Sequence, residues 1–212
     1  MRIFLAVLIL IATTAPAPSG AWLREPGTAL LTFSRTADQQ GNTHDSLFAE
    51  FGLTPRLTLG LDAGMARNGD WTAVGFLRRP LGRTDRPTHL AWEMGLGRDR
   101  TQTIIRSGLS VGRGFNSRWG SGWAAIDTVA DFGISTFRTD YKADLTLGWH
   151  RDRAMLIMQM QAGDPAFGTP YAKFAPSYVR PLGKRMKLEL GLSLGLVNDD
   201  TRGAKLGIWL EF

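Results

Sequence analysis

From Gly27 to the end of the chain, hydrophobic residues recur at nearly every second position. In residues 57–64, leucine and alanine alternate with threonine, glycine and aspartate. The same alternation returns in residues 141–150, 186–196 and 203–212. A period of two is the period of a β-strand with one apolar face and one polar face. The pattern therefore predicts an all-β protein with little helix.

The length of these segments favours a membrane barrel over a soluble sandwich. They run for about nine to eleven residues, the length of a tilted strand that crosses a bilayer, whereas sandwich strands are usually nearer about five or six. Turn residues divide the chain into twelve segments with short loops, and ten strands are the alternative because 71–79 and 122–137 alternate least regularly. We therefore predict a closed antiparallel transmembrane β-barrel. The predicted strands are 28–35, 44–53, 57–66, 71–79, 88–97, 102–112, 122–132, 140–149, 154–162, 171–180, 186–196 and 203–212.

Composition excludes several other classes of protein. The chain has 212 residues, no cysteine, and 25 Lys and Arg against 19 Asp and Glu, which gives a net charge of +6. Without cysteine there is no disulfide framework, no thiolate metal site and no cysteine nucleophile. A hydrophobic content of 43%, without an interior run of apolar residues long enough to span a bilayer, argues against both a disordered chain and a helical membrane protein.

The one long apolar run lies at the N-terminus. Arg2 gives a positive start, residues 3–12 are apolar, and the Ser-Gly-Ala sequence that ends at Ala21 offers the small residues that a signal peptidase reads. About ten apolar residues are too few to span a bilayer. We therefore predict a signal peptide over residues 1–21, cleaved near Ala21, and a barrel over residues 22–212. Export of a chain without cysteine indicates a Gram-negative cell envelope.

With this signal and these strands, the chain resembles the outer-membrane β-barrel proteins of proteobacteria. The C-terminus carries the most specific part of the resemblance, because such barrels end on an aromatic residue preceded by apolar residues at alternate positions. Here Phe212 follows Leu210, Ile208 and Leu206 at those positions. The resemblance implies an outer-membrane location, contact with outer-membrane lipids and lipopolysaccharide, and insertion by the barrel-insertion machinery that reads this strand. It points to no characterised subfamily.

The phase of the alternation predicts which side chains face the lumen. Acidic and basic residues occur there in similar numbers, which favours ion pairs between neighbouring strands and a narrow or partly filled interior. Inward glycines leave room for a small solute. The candidate lumen-lining residues are Glu50, Asp62, Glu93, Arg106, Asp127, Lys142, Asp144, Lys173, Lys187, Glu189, Lys205, Trp209 and Glu211. The aromatic residues predicted on the lipid-facing side are Trp71, Phe76, Trp92, Tyr141, Trp149, Phe174 and Tyr178.

The excess positive charge falls in the predicted turns and therefore gives no indication of nucleic-acid binding. At the periplasmic end, we expect basic residues to attract anionic phospholipid headgroups. At the external end, arginine side chains are expected to bind lipopolysaccharide phosphates, with two hydrogen bonds to each phosphate. These arginines are Arg67, Arg98, Arg100, Arg138 and Arg202.

A narrow passive channel for small solutes is the favoured function, and a non-conducting structural or interaction barrel, of the adhesin or envelope-stability type, is the alternative. A weaker alternative is a lipid hydrolase, because His44 and Ser46 share one face of a strand, as in outer-membrane lipid hydrolases. Glu50 lies on the same face but about 13 Å further along the strand, too far to orient His44. No cofactor is expected, and no metal site is predicted because His89 and His150 are isolated from each other.

Overall fold

In the computed structural model, residues 20–118 and 120–212 are described, and they form twelve β-strands. Each strand pairs antiparallel with its neighbours in sequence, and the first pairs with the last, so that the sheet closes into a barrel. The prediction of a closed barrel with twelve strands is therefore confirmed. The strands are β1 (Ala29–Asp38), β2 (Thr43–Thr54), β3 (Leu57–Ala66), β4 (Trp71–Pro80), β5 (Thr88–Asp99), β6 (Thr103–Ser117), β7 (Gly120–Gly133), β8 (Arg138–Arg151), β9 (Ala154–Asp164), β10 (Tyr171–Pro181), β11 (Met186–Val197) and β12 (Arg202–Glu211).

The predicted signal peptide lies outside the described residues, apart from Gly20 and Ala21. Within the described ranges, no helix is long and apolar enough to cross a membrane.

The alternation along each strand separates an apolar outer face from the interior. On β12, Leu206 and Ile208 are 56% and 42% exposed, while Trp209 between the outward positions is only 7% exposed. Outward leucines of other strands are exposed to a similar extent, for example Leu96 at 63% and Leu145 at 51%. A continuous band of exposed large apolar side chains is unfavourable in water and suits a lipid environment.

One aromatic residue was predicted on the wrong face. Phe76 is 2% exposed and points inward, where its ring lies 6.0 Å from the ring of Phe48. On β4 the outward positions are those of Trp71 and Leu77, which are 38% and 45% exposed. Because side chains alternate with a period of two, Phe76 cannot share a face with Trp71 in a regular strand.

The hairpin of β6 and β7 is longer than the alternation predicts. Residues 113–121 were expected to form a connection, but β6 continues to Ser117, which pairs with Gly120 of β7. Glycine, serine and asparagine dominate this stretch, so that its pairing leaves no hydrophobic signature in the sequence. The rings of Phe115 and Trp149 make an edge-to-face contact, with centroids 5.3 Å apart, and this contact packs the hairpin against β8.

The barrel has two different ends. We call the end that holds Ala29 and Phe212 the terminal end, and the opposite end the distal end. The connections at the distal end are three to six residues long, so that they carry the chain from one strand to the next without covering the lumen. They comprise residues 39–42, 67–70, 100–102, 134–137, 165–170 and 198–201.

Residues 20–27, which we call the inner segment, run inside the terminal end of the barrel. Ala21 is 2% exposed and Arg24 is 7% exposed. The backbone of Gly27 donates a hydrogen bond to the carbonyl of Gly52 on β2 (2.8 Å), where the chain passes into β1. Outside this contact the segment forms no strand, so side chains hold most of it.

Candidate functional site

The lumen consists of a packed half at the terminal end, which keeps a smaller cavity of about 260 Å³ beside Trp123 and Trp209, and a larger polar cavity towards the distal end. In the packed half, a hydrophobic cluster includes Leu30, Trp123, Val179 and Trp209, each at most 7% exposed. The polar cavity has a volume of about 540 Å³. Hydroxyl and amide side chains line much of its wall, among them those of Thr32, Ser34, Thr36, Ser46, Gln159, Gln161, Ser177 and Ser193.

Aromatic rings fill part of the room that inward glycines were predicted to leave. A Cβ atom at Gly60 would lie 2.1 Å from the Phe76 ring, and one at Gly148 would lie 2.2 Å from the Trp123 ring. Glycine at these positions therefore serves close packing across neighbouring strands. Gly60 and Gly148 therefore do not line the cavity, which lies nearer the distal end of the lumen.

A chain of four buried charged side chains crosses the packed half. Arg24 of the inner segment donates from Nε to Glu50 Oε2 (2.9 Å), Glu50 also pairs with Arg78, and Arg78 Nη2 donates to Glu93 Oε2 (2.8 Å). The Arg78 guanidinium also lies 4.9 Å from the centroid of the Phe76 ring. Two arginines and two glutamates balance each other, so the buried network carries no net charge.

A second network joins three other strands. Arg106 of β6 donates from Nε to Asp131 Oδ1 on β7 and from Nη1 to Asp62 Oδ2 on β3, both at 2.7 Å. Arg106 is 3% exposed and Asp131 is 6% exposed, whereas the side chain of Asp62 is 43% exposed towards the cavity. One guanidinium therefore binds two carboxylates, and the network keeps one excess negative charge, on the side where Asp62 faces the cavity.

Strands β11 and β12 contribute further pairs. Lys205 Nζ donates to Glu189 Oε1 (2.9 Å), and the indole nitrogen of Trp209 donates to Glu189 Oε2 (2.9 Å). Nearer the terminal end, Lys187 Nζ donates to Glu211 Oε1 (2.7 Å). These contacts fix the inward side chains of the two strands against each other.

Of the charged residues that the sequence predicts in the lumen, three make no ion pair within the described part of the chain: Asp127, Lys142 and Asp144. Asp127 stands opposite Asp144 in the pairing of β7 with β8, and one carboxylate oxygen of Asp127 is buried without a hydrogen-bond partner there. Lys142, on the same face of β8 as Asp144, lines the cavity and is exposed. These groups place both negative and positive charges in the cavity wall, so that the cavity does not carry charges of a single sign.

At the distal rim, Lys173 pairs with Asp199 in the connection between β11 and β12 (2.9 Å). Burial raises the pKa of the Asp199 carboxyl, but hydrogen bonds from Thr201 and Lys173 outweigh burial and lower that pKa to about 2. Of the distal arginines, Arg100 pairs with Asp70 (3.3 Å), while the guanidinium of Arg138 lies 5.5 Å from the ring of Phe167.

The residues of the predicted hydrolase pair both face the cavity. His44 and Ser46 line its wall, on the inner face of β2. No carboxylate hydrogen bond to His44 is found among the described residues. Glu50, the candidate orienting group, is occupied by Arg24 and Arg78.

Three members of the ion-pair networks were missed by the sequence prediction: Arg24, Arg78 and Asp131. The period of two carries a signal for two of them, because Arg78 shares a face with Phe76 and Asp131 shares a face with Asp127. No strand periodicity reaches Arg24, which precedes β1, so only the folded chain places it inside the barrel.

The predicted insertion strand closes the barrel. Phe212 donates from its backbone nitrogen to the Ala29 carbonyl (3.0 Å) and accepts from the Ala29 nitrogen (3.1 Å). Its side chain is 60% exposed on the outer face, which it shares with Leu206, Ile208 and Leu210.

No protein-family model and no curated protein matches the sequence. Solved structures do match the fold. The KdgM porin, in a complex with disordered oligogalacturonate, superposes with a TM-score of 0.66 and 7% identity, over 86% of this chain and 99% of that chain. The NanC porin gives a TM-score of 0.63 and 8% identity, over 85% and 98% of the two chains.

An enzyme also shares this architecture. The outer-membrane phospholipase A from Escherichia coli gives a TM-score of 0.50 and 14% identity, over 89% of this chain and 98% of that chain. Since porins and an enzyme match at such low identity, these comparisons establish the fold and leave the function to the geometry of the lumen. This chain therefore has the fold of the bacterial outer-membrane β-barrels.

Proposed function

We propose that this protein is an outer-membrane channel for small polar solutes that carry no net charge. The cavity of about 540 Å³ carries the proposal, because hydroxyl and amide groups line it and short distal connections leave it uncovered. Such groups donate and accept hydrogen bonds to polar solutes without demanding a charge. The terminal end faces the periplasm in this arrangement, and the distal end faces outward.

The charges of the lumen support a net-neutral solute. The KdgM porin was solved with an oligogalacturonate, which is an acidic saccharide. In this chain the basic lumen groups are largely engaged with carboxylates, which leaves Lys142 as a cation of the cavity without an ion pair among the described residues. The ion-paired basic groups are Arg24, Arg78, Arg106, Lys173, Lys187 and Lys205. A row of free cations for a polyanion is therefore missing from the described lumen.

Liposome swelling with the purified protein tests this function. Neutral sugars of increasing size should enter, with a cut-off near the size that the cavity admits, and an acidic sugar of equal size should enter more slowly. In planar bilayers, the reversal potential in a salt gradient should stay close to zero because unpaired groups of both signs line the cavity. Swelling that is faster with the acidic sugar would overturn the proposed solute class.

A non-conducting structural or interaction barrel remains the second candidate. The packed terminal half favours it, because Trp123, Trp209 and the inner segment fill that part of the lumen. Bilayers that show neither current nor solute flux with folded protein would select this candidate over the channel.

We infer that His44 and Ser46 form no hydrolase centre. They face the cavity, and Glu50 is engaged by two arginines. Purified protein should release no fatty acid from phospholipid vesicles. Lipid turnover that is lost in Ser46→Ala would contradict this inference.

The same proposal assigns the partners. Outer-membrane lipids are expected to contact the exposed apolar band, and lipopolysaccharide phosphates are expected at the distal arginines. Arg67, Arg138 and Arg202 are exposed, and no carboxylate pairs with any of them among the described residues, whereas Arg100 pairs with Asp70. The barrel-insertion machinery is expected to bind β12. A comparison of how completely the protein folds into vesicles that contain or lack anionic lipid A measures how much the lipid phosphates contribute to folding.

A further inference from the structure

We propose that the inner segment is a movable closure of the lumen, whose release opens the path through the terminal half. This inference rests on the proposed channel function and adds its regulation. The segment enters from the terminal end. Its residues beyond the predicted cleavage site lie inside the barrel, where Trp22 packs against the hydrophobic cluster and Arg24 binds Glu50. The segment therefore lies across the route between the cavity and the periplasmic side.

Two glycines of the barrel wall form a cradle for the segment. A Cβ atom at Gly52 would lie 2.1 Å from the carbonyl oxygen of Glu25, and one at Gly112 would lie 2.4 Å from the ring of Trp22. Any side chain at either position would collide with the segment, because real Cβ atoms keep larger distances. The wall is thus shaped around the segment on two sides, at β2 and at β6.

The contacts that hold the segment are few and reversible. Arg24 forms one ion pair with Glu50 (2.9 Å), and its backbone nitrogen donates to Thr58 Oγ1 (3.0 Å). The Trp22 ring packs 5.3 Å from the ring of His89. Apart from the bridge to Gly52, the segment has no ladder of backbone hydrogen bonds, which is what distinguishes a movable element from a strand.

The chain offers a hinge where the segment joins β1. Gly27 has a φ of 79°, in the left-handed region that favours glycine, and no atom lies within 4 Å of the place where a Cβ would be. The backbone there is free of side-chain constraint. Rotation at Gly27 moves the segment towards the terminal opening while β1 stays paired.

The charges also allow the segment to leave. When Arg24 moves out, its guanidinium reaches water, and Glu50 keeps its pair with Arg78. No carboxylate is left isolated in the lumen, which is the costly outcome when a buried pair is broken. The four-membered network therefore opens at its end and not in its middle.

Gly112→Ala tests the closure, with Gly114→Ala as the matched control. A Cβ at Gly112 collides with Trp22, whereas one at Gly114, two residues along the same face of β6, meets nothing closer than 3.8 Å.

Two measurements follow the position of the segment. In lipid nanodiscs, mass spectrometry measures the rate at which trypsin cleaves after Arg24, and in planar bilayers the current through the protein is recorded. Gly112→Ala should raise both the cleavage rate and the time-averaged current by about tenfold, since each follows the open population. Gly114→Ala should match the wild type.

Trp22→Ala provides a second variant in case Gly112→Ala fails to fold. It removes the ring from the cradle, leaves the barrel wall unchanged and keeps Arg24 for the cleavage measurement. Circular dichroism checks that each variant retains its strands.

The outcomes separate this inference from the channel function. If Arg24 is no more cleavable in either variant, the segment is not movable and the inference is wrong. If cleavage increases in a conducting protein but the current does not, the segment is movable and does not close the lumen, and the inference is again wrong. If cleavage increases and neither wild type nor variants conduct, the channel function is overturned.

Discussion

At the residue scale, the described interior is organised by arginines that each bind two carboxylates. Arg78 bridges Glu50 and Glu93, and Arg106 bridges Asp62 and Asp131. A planar guanidinium suits this task because its donors point in several directions and it stays charged in all conditions. Each arginine thereby binds one carboxylate on the next strand and one on a strand with which its own does not pair, in a lumen where an uncompensated charge is costly.

We expect Arg106→Ala to destabilise the barrel by about 3–5 kcal/mol, because it leaves Asp131 buried without its cation. Chemical unfolding of the protein in lipid vesicles measures the change. The double variant Arg106→Ala/Asp131→Ala should recover part of the loss, since it removes the orphaned charge as well.

Arg83→Ala is the control for that measurement. Arg83 pairs with Asp85 in an exposed turn, where its side chain is 71% exposed. Solvent screens such a pair, so that the loss of stability should be far smaller than that of Arg106→Ala. Equal losses for Arg83→Ala and Arg106→Ala would contradict the role assigned to burial.

At the element scale, each strand carries two unrelated tasks on its two faces. On β12, Leu206 and Ile208 face outward, while Lys205 and Trp209 bind Glu189 inside. A shift of register by one residue would exchange the two faces completely, which is why the alternation specifies the pairing so strongly. The hairpin of β6 and β7 shows the limit of this rule, because its polar tip pairs without any apolar pattern.

A charge on the outer face of β12 tests the membrane placement of the strand. Leu206→Lys puts an ammonium at the middle of the apolar band and should cost about 2–4 kcal/mol of stability in lipid vesicles. Leu182→Lys, in an exposed turn at the terminal end, should cost no more than about 1 kcal/mol. Little difference between the two variants would show that the band does not lie in the hydrocarbon region.

At the scale of the whole molecule, most charged groups in the lumen form ion pairs, and the cavity opens at the distal end of the barrel. Ion pairs neutralise most of the inward charges, the hydrophobic cluster and the inner segment fill the terminal half, and the cavity opens under short distal connections. Ion selectivity should therefore depend on the few groups in the cavity that have no ion pair, of which Lys142 is the most exposed.

Lys142→Glu should make the channel prefer cations. A change of two charges at several ångströms from a permeating ion shifts the cation-to-anion permeability ratio by a factor on the order of three to ten. The reversal potential in a salt gradient measures this ratio. Lys184→Glu, in an exposed turn at the terminal end, makes the same change of charge away from the cavity and should shift it much less. Equal shifts would place the selective region outside the cavity.

The amino-acid pattern predicts the strands and the facing of most side chains, because both follow from a local period of two. It favours twelve strands over ten, and the closed barrel has twelve. It also indicated that the inward charges would pair, since similar numbers of both signs face one lumen. Phe76 was predicted on the outer face because the period of two was not applied strictly along β4. Arg78 and Asp131 were not predicted in the lumen, although a strict period of two places both on the inner face.

Which charges meet, and what fills the lumen, depend on contacts between strands of the folded barrel. Asp131 lies 25 residues from Arg106 and directly opposite it in the hairpin of β6 and β7, whereas Asp62 of β3 lies 44 residues away and reaches Arg106 only across the lumen of the closed barrel. Arg24 and the inner segment precede the first strand and carry no periodicity, so that their place inside the barrel depends on a cradle formed by Gly52 and Gly112. A local pattern specifies which face a side chain takes, whereas contacts across a closed sheet depend on the register of all twelve strands.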